Sequence, residues 1–245
     1  MPADPEHIRL QKYIADHGLC SRREAEDFIR AGLVVVNGKT AVIGQKVTAG
    51  KDHVAVNGKK IHPQPVGQIV LAMNKPRGVI CSNRDPHHSK TIFDLLPEKY
   101  AKYRLFCVGR LDKDSEGLIL LTNDGELSNR VSHPRNRIVK RYRVTLNKAF
   151  DTSKIPLLLK GVRKEGEHLY AKKIVMAARG PDADRRLEVH LEQGRKREIR
   201  RLFEAFGFYV KRLQRFQIGQ LVLKRLPTGT VVELQAEDLE ALFEN

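Results

Sequence analysis

Tryptophan is absent from this 245-residue chain, aromatics make up only 6% of it, and there are just three cysteines and three methionines. Cys20, Cys81 and Cys107 are far apart and in no paired spacing, which argues against a disulfide framework and against a cysteine zinc site. The nine histidines are scattered. Their adjacent pair, His87-His88, stands beside Pro86 in a polar stretch and reads as an exposed loop rather than a metal site. No run approaches the roughly 18 apolar residues of a membrane span. Met1-Pro2-Ala3-Asp4-Pro5-Glu6 carries acids where a secretory signal needs cations and an apolar stretch. A soluble, cytoplasmic protein without metal is expected. Acids are also in deficit: 29 Asp and Glu face 45 Lys and Arg, a formal charge of +16. Such a surplus suits a polyanionic partner, most often nucleic acid. With 41% hydrophobic residues, the material for one large domain or two small ones is present.

Residues 7–62 read as a compact α+β unit. Leu10, Tyr13 and Ile14 recur at helical spacing, and Gly18 is placed to end that helix. Ser21-Arg22-Arg23-Glu24 has the form of a capping box, followed by the apolar stripe Ala25, Phe28 and Ile29. The period then changes from helical to strand-like. Val34-Val35-Val36-Asn37-Gly38-Lys39 and Val54-Ala55-Val56-Asn57-Gly58-Lys59 each predict a strand entering an Asn-Gly turn. Lys12, Arg22, Arg23 and Arg30 fall on or beside the two helices, either as cations tracking phosphates or as a solvated face.

Two prolines within His62-Pro63-Gln64-Pro65 favour extended backbone and mark residues 63–68 as a linker. Beyond it, 69–245 reads as a second domain. Strands are predicted at 69–74, 79–82, 104–109, 117–121, 140–146, 169–177, 186–191, 209–215 and 230–234. Helices are predicted at 91–96, 126–132, 152–160, 196–206 and 236–243. Strands outnumber helices and many connections are hairpins. The fold class is therefore α+β, with a mixed, largely antiparallel sheet and flanking helices in the second domain.

Three segments there carry unusual residues. Gly109-Arg110-Leu111-Asp112-Lys113-Asp114-Ser115-Glu116-Gly117 holds three acids between glycines. It fits an acidic metal loop, a general-acid pair or a charged turn, although the interleaved Arg110 and Lys113 disfavour a divalent ion. An extended strand would put Asp112 and Asp114 on one side, so spacing does not separate them. Gly194-Arg195-Lys196-Arg197-Glu198-Ile199-Arg200-Arg201 gathers five cations in eight residues, which repel unless RNA phosphate or buried carboxylates lie close. Lys140, Arg141 and Arg143 surround Tyr142, either a base-stacking platform or a core residue of an alternating strand.

Two resemblances organise these segments. The order from Arg9-Leu10-Gln11-Lys12-Tyr13-Ile14 through Cys20-Ser21-Arg22-Arg23-Glu24 to Val36-Asn37-Gly38-Lys39 is similar to the RNA-binding domain first recognised in ribosomal protein S-four. Four later segments, in order, resemble the bacterial ribosomal-RNA pseudouridine synthases, in the branch with an N-terminal S-four-like domain. They are Asn74-Lys75-Pro76-Arg77-Gly78, the stretch from Gly109 to Gly125, Lys140-Arg141-Tyr142, and Gly194-Arg195 to Arg201. The resemblance spans residues 7–235 and implies a uridine isomerase without cofactor or metal. It selects Asp112 as the catalytic carboxylate and places Tyr142 on the uracil, as a candidate for proton removal. It pairs Arg200 with Asp112 and puts Arg110 in the gap left by the flipped nucleotide. It makes Arg141, Arg195, Arg197 and Arg201 RNA contacts, together with Lys12, Arg22, Arg23 and Arg30. The implied partner is ribosomal RNA or an assembling ribosomal subunit, with a monomer expected. Large-subunit RNA is favoured over small-subunit RNA by the Arg197-Glu198-Ile199-Arg200-Arg201 ending. A non-catalytic ribosome-assembly protein on the same fold is the rival reading, and a metal-dependent nuclease lacks the carboxylate and histidine clusters it needs.

Overall fold

The computed structural model describes residues 7–61, 67–83, 90–177, 179–180 and 182–244. Residues 62–66, which include most of the expected linker, and the His87-His88 pair lie outside the described residues. The chain divides into two units, 1–68 and 69–245.

The first unit runs β1 (His7–Arg9), α1 (Leu10–Asp16), α2 (Arg22–Arg30), β2 (Val34–Val36), β3 (Lys39–Thr40), β4 (Lys46–Thr48), β5 (Val54–Val56) and β6 (Lys59–Lys60). The capping box forms: the Ser21 amide donates to Glu24 Oε2 at 2.7 Å and the Glu24 amide donates to Ser21 Oγ at 3.2 Å. Asn37 and Asn57 adopt positive φ, each followed by a positive-φ glycine, as a two-residue hairpin turn demands. The two hairpins pair through β2 and β5 into the order β3-β2-β5-β6. Leu10, Ile14, Ala25, Ile29, Val34 and Val56 bury one core between helices and sheet. Pairing of β1 with β4 was not legible from the pattern, because each strand is only three residues long.

The second unit is built on a nine-stranded sheet. Its strands are β7 (Val70–Lys75), β8 (Phe106–Val108), β9 (Glu116–Thr122), β10 (Lys140–Leu146), β13 (Lys173–Met176), β14 (Arg186–Leu191), β15 (Val210–Ile218), β16 (Leu221–Val222) and β17 (Val231–Glu233). A separate hairpin joins β11 (Val162–Lys164) to β12 (Glu167–Leu169). The helices are α3 (Gly125–Ser132), α4 (Ile155–Lys160), α5 (Glu198–Glu204) and α6 (Ala236–Glu240). The main path is β13-β14-β10-β15-β9-β7-β17, and β9–β15 is its one parallel pair among the described residues. Leu71, Met73, Ile119, Leu121, Val144 and Val189 cover one face, where α5 supplies Ile199, Leu202 and Phe203. Val70, Ala72, Leu118 and Leu120 cover the other, against α3 and α6.

Three predicted elements differ. Residues 79–82 form no strand, only a bridge between Ile80 and Thr91, because the Gly78 and Ile80 amides donate to Lys113 and Lys90 carbonyls. The expected strand 169–177 splits, since the Ala171 amide donates to Leu158 of α4 and pulls the chain off the sheet. Helix α5 starts at Glu198 rather than 196, because Arg197 takes a left-handed conformation at φ 49°.

Candidate active site

Strand β9 positions the site. Antiparallel β7 pairs with residues 117–122 of β9. A strand has two hydrogen-bonding edges, so its remaining edge is shared: β15 takes residues 116–117 and β8 takes 120–122. Where those two neighbours diverge, the Arg215 Nε–H donates to the Leu118 carbonyl at 2.7 Å. A cleft of about 550 Å³ opens here, within the range of small-ligand pockets. Its walls are the 80–82 and 108–112 segments, the facing ends of β10 and β15, and the 194–199 segment.

One register row crosses the sheet beneath it: Lys75, Gly117, Arg215, Tyr142 and Val189 are successive cross-strand partners on β7, β9, β15, β10 and β14. Cross-strand partners project from the same face. Lys75 is fully buried. Its ammonium donates to three carbonyls, Pro76 at 3.1 Å, Asp112 at 3.1 Å and Ser115 at 2.8 Å, which uses all three of its N–H bonds. Burial lowers its pKa, against the opposing pull of Cys81, Asp114 and Asp112. The Gly78 amide adds a bond to Lys113 O at 2.7 Å. The two motifs Asn74–Gly78 and Gly109–Gly117 thus meet, and a buried cation holds the second against the first.

Asp112 opens a turn closed by the Ser115 amide donating to Asp112 O at 3.1 Å. The expected extended geometry for Asp112 and Asp114 is corrected here, because this turn separates the two carboxylates. Asp112 is half-buried and lines the cleft. Among the described residues, no hydrogen bond or ion pair reaches its carboxylate. Arg200 does not pair with Asp112, contrary to the expectation from the family pattern. Its Nη2 lies 3.0 Å from Asp114 Oδ2 and donates to Asp114 O at 3.2 Å, while Nη1 donates to Val210 O at 2.8 Å. Arg200 therefore braces the turn from behind, within electrostatic reach of Asp112 but off the cleft wall. Arg197 joins it on Asp114 at 3.4 Å.

Tyr142 is 8% exposed and lines the cleft, as do Arg110, Arg195 and Arg197. Arg141 does not line it: alternation along β10 turns Arg141 to the other face and puts Lys140 beside Tyr142. Arg201 is also away from the cleft wall. It bonds Glu165 at 3.1 Å and Glu167 at 2.5 Å, fastening the β11–β12 hairpin to α5. The five-cation knot is thus neutralised mainly by the protein's own carboxylates. In the first unit Arg30 pairs with Asp27 at 2.7 Å and Lys12 with Asp16 at 3.9 Å. Arg22 and Arg23 are exposed and make no ion pair among the described residues.

Sequence reasoning assigned no role to the floor of the cleft. Ser115 Oγ, Glu198 Oε1 and Arg215 Nη2 are buried, in residues 1%, 3% and 4% exposed, and have no hydrogen-bond partner among the described residues. An unsatisfied buried polar group costs about 1–3 kcal/mol, so the floor is built for a polar ligand that supplies the missing bonds. Burial raises the Glu198 carboxyl to about 7, although the Arg195 amide donates to it. Burial, then Arg215, lowers Lys140 to about 8. Alternation with Tyr142 made Lys140 readable in advance; Arg215 carried no sequence signal. Cys81 also lines the cleft and accepts a hydrogen bond from the Leu111 amide at 3.5 Å.

Comparison with known proteins gives this arrangement its context. Residues 69–205 match the RNA pseudouridylate synthase family and residues 8–52 the S4 domain. The chain is 38% identical over 240 residues to ribosomal large subunit pseudouridine synthase B of Vibrio cholerae, covering 96% of this chain and 74% of that protein. It is 39% identical over 237 residues to dual-specificity RNA pseudouridine synthase RluF of Escherichia coli K12, covering 96% and 78%. A crystal structure of a pseudouridylate synthase superposes with a TM-score of 0.68 at 29% identity, over 96% of this chain and 99% of that one. With the family match covering more than half its length, and the cleft lying inside the matched segment, the chain belongs to the RNA pseudouridylate synthase family.

Proposed function

We propose that this enzyme isomerises a specific uridine of large-subunit ribosomal RNA to pseudouridine, with Asp112 as the carboxylate that acts at the ribose. The observation that carries the reading is Asp112 itself, an unpaired carboxylate on the wall of a cleft whose buried floor lacks hydrogen-bond partners. A uracil offers two carbonyl oxygens and an N–H, which can complete the unpartnered floor atoms; the Tyr142 ring supplies an apolar side. The N1–C1′ bond breaks while Asp112 attacks or assists at the ribose, the base turns, and a C5–C1′ bond forms. The C5 proton is lost and N1 gains one, with Tyr142 beside the base as the group for proton removal. Arg200 acts through Asp114, holding the turn that presents Asp112. Neither redox change nor water activation enters this sequence, so no cofactor or metal is required.

Reaching the glycosidic bond requires extrusion of the nucleotide, at a cost of a few kcal/mol. Arg110, exposed at the cleft mouth, is placed to fill the vacated stack. Arg195 and Arg197 flank the cleft for phosphate, and Arg22, Arg23, Lys12 and Arg30 extend the basic surface of the first unit. The relatives named above support RNA as substrate, and the Vibrio cholerae protein's name supports the large subunit. We assign the enzyme to the cytoplasm, as a monomer whose basic surface is given to RNA; no helix among the described residues is long and apolar enough to cross a membrane.

Asp112→Asn tests the reading on transcribed ribosomal RNA fragments. RNA binding survives, because a negative charge is removed, while pseudouridine formation disappears. Retained isomerisation in that variant removes Asp112 from the mechanism.

A further inference from the structure

Beyond the isomerisation, one reactive cluster of the cleft has no part in the chemistry derived above. Cys81 and Cys107, 26 residues apart in sequence, lie against each other as free thiols. Cys107 sits on β8 opposite Leu121 of β9, and packs on the core face of the sheet. Cys81 follows Ile80, which is pinned by the Ile80 amide to Lys90 O at 3.0 Å and by the Ile92 amide to Ile80 O at 3.0 Å. Both sulfurs are half-buried, and Cys81 opens onto the cleft. The Cys81 sulfur also accepts the Leu111 amide, one residue before Asp112.

We propose that Cys81 and Cys107 form an oxidisable dithiol, a modification site on the cleft wall that a hydroperoxide converts to a disulfide. The Cys107 S–H donates to Cys81, and this bond, with Leu111 N–H, Lys75 and Arg215, pushes the Cys81 thiol down to about 6. The same contact pushes Cys107 up. Cys81 is thus the nucleophilic thiolate and Cys107 the resolving thiol, the asymmetry that selective oxidation needs. The Cys81 thiolate attacks the peroxide, the O–O bond breaks, and the departing alkoxide or hydroxide takes up the proton Cys81 released. Cys81 is then a sulfenic acid. Cys107 attacks that sulfur, the S–OH bond breaks, and hydroxide leaves as water with the Cys107 proton. Two electrons pass from the two thiols to the peroxide. A disulfide redirects the Cys81 sulfur away from the Leu111 amide and so loosens the segment that leads into Asp112.

The test uses the full chain treated with hydrogen peroxide. Free thiols, counted after denaturation, fall from the three of the sequence to one. A Cys81–Cys107 linked peptide appears by mass spectrometry, and a thiol reductant restores all three. Cys107→Ser instead leaves a sulfenic acid on Cys81 that a dimedone probe captures. Persistence of all three thiols, or oxidation confined to Cys20, overturns the proposal. These readouts need no isomerase activity, so they stand or fall apart from the function proposed above. The consequence for catalysis rests on that function. Turnover of the disulfide form falls by on the order of tenfold to a hundredfold, as for a displacement of about 1 Å, and returns on reduction. Full turnover in the disulfide form overturns the coupling to the Asp112 turn.

Discussion

At the scale of single residues, the site depends on two buried ionisable groups whose charges are handled differently. Lys75 is satisfied, with three carbonyl acceptors around its ammonium, and its removal leaves those carbonyls without a donor. Lys75→Met therefore lowers stability by about 2–4 kcal/mol, the lost charge-assisted bonds outweighing the relief of a buried cation. Chemical denaturation measures it, and an unchanged midpoint refutes the anchoring role. Glu198 is only half satisfied, and its carboxyl is raised from 4.5 to about 7. Between those values the unfolded chain has released the Glu198 proton while the folded chain retains it. Stability falls as pH rises across this window, by roughly 3 kcal/mol in total at about 1.4 kcal/mol per pH unit. Glu198→Gln flattens that slope in denaturation curves taken from pH 4.5 to 7; an identical slope in the variant refutes it. The choice of Arg200 between Asp112 and Asp114 also belongs to this scale. Bonding to Asp114 leaves Asp112 unpaired for the reaction.

At the scale of elements, the decisive feature is the shared edge of β9. Parallel pairing with β15 brings the Arg215 carbonyl so close to Gly117 that a Cβ there would overlap it, and Gly117 has φ 103°. Gly117→Ala forces β9 and β15 apart at the cleft floor, a strain and steric penalty of about 4 kcal/mol or more. The variant is expected to lose amide protection along β15 and isomerase activity together; hydrogen exchange that matches the parent protein disproves the close approach. Helix α5 gives the complementary case. Its arginines look like an RNA-binding run, yet Arg201 is held by the β11–β12 hairpin and Arg200 by Asp114. A strand pattern read along one segment reports which face a residue takes. It does not report that the carboxylates of another segment are already there.

At the scale of the whole molecule, the charge of +16 is distributed over two units that use it differently. In the unit of residues 69–245 much of the α5 charge closes internal ion pairs. In residues 1–68, Arg22 and Arg23 remain exposed and unpaired among the described residues. Replacing Arg22, Arg23 and Lys12 with glutamine is expected to weaken RNA affinity and flatten its salt dependence. The slope changes by about 0.7–0.9 for each phosphate that the variant no longer neutralises. Single-turnover isomerisation at saturating RNA changes less, since the cleft is untouched. A salt slope equal to that of the parent protein means this unit faces something other than phosphate.

Alternation, helical spacing, the capping box and the paired Asn-Gly turns are local, and they determined the first unit and most strands of the second without reference to distant residues. The ordered motifs from Asn74 to Arg201 likewise carried the family on their own. What only the tertiary structure decided were meetings between distant segments: Lys75 beneath the Asp112 turn, Arg215 in the split of the sheet, Arg201 on the hairpin carboxylates, Cys81 against Cys107. The reason is physical. Side-chain period is written every two or four residues, whereas an ion pair or a buried hydrogen bond is chosen by register across the sheet, and register is settled by packing of the whole.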